Sequence, residues 1–83
     1  MRLDKYLKVS RIIKRRSLAK DIVDQGHVKI DNKSAKASTE VKVGNVIAIN
    51  EKGRTSYYKI TAIYDFADEE KAKTMYERME PSL

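Results

Sequence analysis

Three features of the sequence predict an α+β fold. Apolar residues recur at helical spacing over the first 25 positions, alternate with period two from Gly26 to Tyr64, and return to helical spacing after Asp68. The expected architecture is two N-terminal helices packed on a small, twisted, antiparallel-rich sheet, with a C-terminal helix. At 83 residues the chain is read as one domain, and an apolar content of 41% is enough for a core. Residues 1–64 are expected to form the main unit. Residues 65–83 are expected to form an acidic helical extension packed on or beside it.

The first helix is expected over about Arg2–Val9, where Leu3, Tyr6 and Leu7 fall on one stripe. Ser10 to Arg16 reads as a connection or a single turn, with Ile12 and Ile13 plugging the gap between two helices. Ser17 is the expected N-cap of the second helix, whose buried face is Leu18, Ala19, Ile22 and Val23. Lys20 stands where a capping box would place Glu or Gln. Gly26 is the expected left-handed stop.

The strands come next. His27–Ile30 places Val28 and Ile30 on one face, and Asp31-Asn32 is a turn. Ser34–Glu40 is polar and expected to be irregular. Val41–Val43 precedes a second turn at Gly44-Asn45, and Val46–Ile49 is a buried strand. Lys52-Gly53 closes a hairpin onto Ser56–Tyr64, which is rich in aromatic and β-branched residues. In the tail, Asp68 is an N-cap followed by Glu69 and Glu70 at the positive helix end. Ala72, Met75, Tyr76 and Met79 then follow i, i+3, i+4, i+7 spacing.

Composition excludes several chemistries. Without cysteine there is no disulfide, thiolate metal site or cysteine nucleophile, and the single His27 cannot build a histidine cluster. Neither a glycine-rich phosphate loop nor a paired carboxylate arrangement is visible. No apolar run approaches a membrane span. The expectation is a cytoplasmic, non-enzymatic protein that needs no cofactor or metal and does not engage a membrane.

The charge is unevenly placed. The net charge is +6, yet the first twenty residues alone carry +7, and residues 65–83 sum to −3. The basic cluster is Arg2, Lys5, Lys8, Arg11, Lys14, Arg15, Arg16 and Lys20, opposed within that stretch by Asp4 alone. Arginine offers a planar fork of donors to phosphate oxygens and lysine a mobile point charge. Such a concentration at the corner of a helix pair suits a polyanion, RNA first among them. Lys29, Lys33 and Lys36 extend the candidate surface, with Lys36 taken as part of the site. Set against this, a charge run is ordinarily a solvated face. Tyr6, Tyr57, Tyr58, Tyr64 and Tyr76 are read as packing residues, with base stacking the alternative. His27 is read as a strand-edge residue.

Arg2-Leu3-Asp4 with Leu7, Ser17 with Ala19, Gly26 with Val28 and Ile30, and Val43-Gly44-Asn45 with Ile47 resemble the S4-like RNA-binding domain, also called the alpha-L RNA-binding motif. That likeness covers about residues 1–50. It departs from the common pattern in two turns, with Asp31-Asn32-Lys33 for Asn-Gly and Gly44-Asn45 for Gly-Asp. Lys5, Lys8-Val9-Ser10-Arg11, Ile13-Lys14-Arg15-Arg16, Leu18-Ala19-Lys20, Ala35-Lys36-Ala37-Ser38 and Met75-Tyr76 are similar to the small free-standing bacterial members, the RqcP family, over nearly the whole chain.

That resemblance implies ribosome-associated quality control. Such proteins bind obstructed large ribosomal subunits carrying peptidyl-tRNA, contact large-subunit rRNA and the P-site tRNA, and support C-terminal alanine tailing by an RqcH-like protein. Carried over to this chain, it makes Arg2 and Arg16 the foremost RNA contacts, Arg11, Lys14 and Arg15 the next, and Asp4 a residue that orients an arginine. The free protein is expected to be monomeric. Two other readings stay open: a heat-shock-type S4-like protein that binds obstructed large subunits for recycling, and a basic adaptor that meets an acidic protein.

Overall fold

The computed structural model of the protein describes residues 1–80. Its elements are α1 (Leu3–Val9), α2 (Arg16–Asp24), β1 (Val28–Ile30), β2 (Lys33–Ser34), β3 (Val46–Glu51), β4 (Arg54–Ile60), α3 (Glu69–Lys73) and β5 (Tyr76–Met79). The strands form one antiparallel sheet in the order β2-β1-β3-β4-β5. The helix pair α1–α2 and the segment after β4 bury the inner face of that sheet. Leu3, Tyr6 and Leu7 from α1, Ala19 and Val23 from α2, and Val28, Ile47, Ile49, Ile60 and Met75 share one core.

The end of α2 follows from Gly26, which adopts φ +83°. Gly26 N–H donates to the Val23 carbonyl at 2.9 Å and His27 N–H to the Ile22 carbonyl at 3.1 Å, the paired bonds of a Schellman stop. Period two begins immediately after. Asp31 and Asn32 both have positive φ, as do Lys52 and Gly53, so both hairpins close with two left-handed residues. Asp31 also clamps the sheet. Its carboxylate accepts from Val46 N–H at 2.9 Å and from the Asn45 amide at 2.8 Å.

Four local expectations are corrected. Ser17 is not the N-cap of α2: Arg15 holds that position in extended conformation, and no side chain caps the helix. Leu18 is exposed, because only Ala19 and Val23 of that helix point fully into the core. Strand β4 ends at Ile60, short of Tyr64. The expected C-terminal helix is one short turn. Asp68 does cap it, accepting from Lys71 N–H at 2.8 Å. After Lys73, however, the chain turns, and Tyr76–Met79 pairs with Tyr57–Ile60 as β5. The open edge of β4 offered a full row of backbone partners, and pairing there outweighed a weak helical period.

Candidate nucleic-acid interface

The inward pull of Leu3, Tyr6 and Leu7 carries Asp4 beneath the surface, where it is 3% exposed. A buried carboxylate must find donors, and it finds them on three residues, Lys5, Arg2 and Arg16. Asp4 Oδ1 accepts from Lys5 N–H at 2.8 Å and from Arg2 Nε at 3.2 Å. Its Oδ2 lies 3.4 Å from Arg16 Nε. One carboxylate therefore fixes two guanidinium groups, one at the N-cap of α1 and one at the first residue of α2, and one positive charge remains in excess. Both arginine side chains stay about half exposed (51% and 49%), leaving N–H groups that face solvent.

The segment that follows β2 completes the surface. Leu3 N–H donates to the Thr39 carbonyl at 2.8 Å and Asp4 N–H to the Ala37 carbonyl at 3.1 Å, so residues 37–39 supply acceptors to the start of α1. That docking brings Lys36 and Arg2 to the rim of one groove. The groove, open and of about 470 Å³, runs between α2 and this segment, with Arg2, Lys20 and Lys36 around it, one acid, Asp24, among them, and Val23, Ala35, Ala37 and Ser38 completing the lining. A second hollow of about 460 Å³ is lined by Lys14, Arg15, Ser17, Leu18 and Asp21 at the start of α2. The first turn of that helix has neither a side-chain cap nor an acidic residue, so its positive end stays unneutralised.

Eight of the nine basic residues singled out in the sequence are exposed: Arg2, Lys8, Arg11, Lys14, Arg15, Arg16, Lys20 and Lys36. Arg2 and Arg16 meet at Asp4, Arg2, Lys20 and Lys36 meet at the groove, and Lys14 and Arg15 meet at the second hollow. Lys5 is set apart. It is half-buried, its Nζ is 3.6 Å from Asp65 Oδ1, and it lies 5.7 Å from the centre of the Phe66 ring. Arg11 holds φ +64° at the corner after α1. Ser10 is buried beneath that corner, its hydroxyl donating to the Leu7 carbonyl at 3.3 Å.

Tyr6 is a core residue. Its hydroxyl donates to the Met75 carbonyl at 2.7 Å, and burial, with Tyr76 nearby, pushes the phenol well above its ordinary range. Tyr58 and Tyr76 pack edge to face at 5.4 Å. Tyr64 lies under Lys71 at 4.2 Å. Tyr57 is left on the outer sheet face. Sequence reasoning missed Phe66, which is 85% exposed next to Lys5, and the walls that Ala35 and Ala37 give the groove. No local pattern marks either, because both depend on docking across the fold. Among the described residues no three His, Cys, Asp or Glu side chains gather as a metal site, and no helix is long and apolar enough to cross a membrane.

The sequence model of the S4 domain matches residues 1–47. A Streptococcus pneumoniae protein named RQC P-site tRNA stabilizing factor is 46% identical over 77 residues, spanning 93% of this chain and 88% of that protein. A Bacillus subtilis protein of the same name is 43% identical over 76 residues, spanning 92% and 88%. The trimeric structure of Vibrio cholerae heat shock protein 15 superposes with a TM-score of 0.86 at 31% identity, over 95% of this chain and 81% of that one.

Proposed function

This chain belongs to the S4 domain family, and on that premise we propose that it is an RNA-binding factor of ribosome-associated quality control. In this reading it binds obstructed large ribosomal subunits carrying peptidyl-tRNA. It contacts large-subunit rRNA and the P-site tRNA, and it supports alanine tailing by an RqcH-like protein on the same particle. It acts in the cytoplasm on the ribosome, free protein being monomeric, and it catalyses nothing itself.

The observation that carries the proposal is the Asp4 clamp. A buried carboxylate holds Arg2 and Arg16 at fixed positions, half exposed, beside a groove flanked by Lys20 and Lys36. Fixed guanidinium forks read the position of phosphates on a structured RNA, and the mobile lysines add charge without geometry. The reading of the particle is supported by two relatives that carry the name RQC P-site tRNA stabilizing factor.

The test is a double substitution, Arg2→Ala with Arg16→Ala, assayed for co-sedimentation with large subunits and for alanine tails on stalled chains. Both should be lost. Because that variant strands Asp4, a second one, Lys20→Ala with Lys36→Ala, removes two groove charges that form no ion pair among the described residues. It should fold normally and bind subunits more weakly. Persistence of both readouts in both variants would refute the assignment.

The likeness to heat shock protein 15 favours one second reading, action on obstructed subunits without tailing. Deleting the protein would then leave alanine tails intact. A basic adaptor for an acidic protein is separated from both by RNase, which such a complex would survive.

A further inference from the structure

The outer face of the sheet carries features that the helix-pair interface does not use. Strand register aligns Ser34, Lys29, Ala48, Tyr57 and Met79 in one row across all five strands. Their neighbours in sequence, Val28, Ile30, Ile47 and Ile49, face the core, so this row points the other way. In its middle stands Ala48, whose single methyl leaves a depression between Lys29 and Tyr57. The hollow has a volume of about 190 Å³ and is lined by Lys29, Asn32, Ala48, Asn50, Thr55 and Tyr57, among others. A second hollow of about 320 Å³ shares Asn32, Ala48 and Tyr57 with it. The Tyr57 ring thus borders both depressions and is only partly buried.

We propose that this face binds one unpaired RNA nucleotide, its base stacked on Tyr57 and its phosphate met by Lys29. An aromatic ring on an open sheet is a sequence-tolerant platform, because every base has a π-face. The amides of Asn32 and Asn50 each offer a donor and an acceptor to the edge of a base. The smaller hollow falls below the range that holds drug-sized ligands, a size suited to a single planar group. The helix pair presents no such ring, since its one tyrosine, Tyr6, is buried. The two faces therefore divide the work: fixed cations on the helices grip backbone phosphate, and the sheet takes a base that has left its stack. The inference rests on RNA being the partner and adds to it a second, chemically different site.

The experiment is an amide-resonance titration of the whole protein with single-stranded oligouridine and oligoadenosine, in parallel with a duplex RNA hairpin. Single strands should move the resonances of Lys29, Ala48 and Tyr57. Tyr57→Ala should weaken single-strand binding about tenfold, and Tyr57→Phe should keep it. Ala48→Leu fills the depression from a different strand and should weaken it as well. Hairpin binding should be unchanged in all three. If the sheet resonances stay still, or Tyr57→Ala binds single strands as the parent does, the inference is overturned and the face is left to a protein. A protein that grips the hairpin and ignores single strands overturns this inference alone. One that ignores both overturns the proposed function with it.

Discussion

Arg11 occupies a left-handed conformation that disfavours any side chain, at the corner that follows α1. Glycine would relieve that strain, at the cost of added freedom in the unfolded chain. Strain that persists at a functional surface points to a side chain needed for something other than folding. Arg11→Gly is therefore expected to raise stability by about 0.5–1 kcal/mol, which for a domain of this size lifts the melting temperature by a few degrees. It should weaken large-subunit binding at the same time, and calorimetry beside a sedimentation assay separates the two. Tyr6 makes a prediction in pH. Desolvation holds its phenol protonated in the folded state beyond its ordinary range, with Tyr76 adding to the effect. The unfolded chain releases that proton near pH 10. Above about pH 10 the unfolded state then binds fewer protons than the native one, so stability falls as pH rises and is unaffected below. Thermal melts from pH 8 to 12 should show this decline. Tyr6→Phe should flatten it while costing about 1 kcal/mol at neutral pH for the lost bond to the Met75 carbonyl.

At the scale of elements, the least expected feature is the path after β4. Met75 is fully buried beneath Tyr6, between α3 and β5. Met75→Ala should cost about 2–5 kcal/mol by emptying that position and lower the melting temperature by ten degrees or more, read by circular dichroism. The sequence displays Met75 as an apolar residue at helical spacing, and burial there is what that spacing implies. It does not display β5, because Tyr76–Met79 earns its strand from the vacant edge of β4. Most of the first 60 residues were legible for a complementary reason, the Ser17 cap and the burial of Leu18 excepted. Their signals are local: Gly26 ends a helix, Asp31-Asn32 and Lys52-Gly53 turn a strand, and Val28 alternates with Ile30. Among the basic residues, charge and clustering were visible. The two-arginine clamp was only half visible, since Asp4 and Arg16 are twelve positions apart. Lys5 carries the same charge as its neighbours, yet it is drawn to Asp65 through an approach that no spacing rule encodes.

Over the whole molecule the charge is segregated, with basic groups on the helix pair and acids concentrated in residues 65–80. Segregation of this kind orients the protein before contact and makes affinity depend on ionic strength. If about five phosphates are neutralised on duplex RNA, the logarithm of affinity should fall with that of salt at a slope of about −4 to −5. Arg2→Ala with Arg16→Ala should reduce that slope by about two units, and Tyr57→Ala should leave it unchanged because a stacked base releases no counterions. Filter binding across a salt series measures all three.

The bond from the Tyr6 hydroxyl to the Met75 carbonyl spans 69 residues. During synthesis α1 leaves the exit tunnel long before its distant acceptor has been made. Closure between positions so remote in sequence is slow and raises the topological cost of reaching the native state. The nascent protein therefore carries an unanchored first helix until Met75 has been made and β5 can pair behind it.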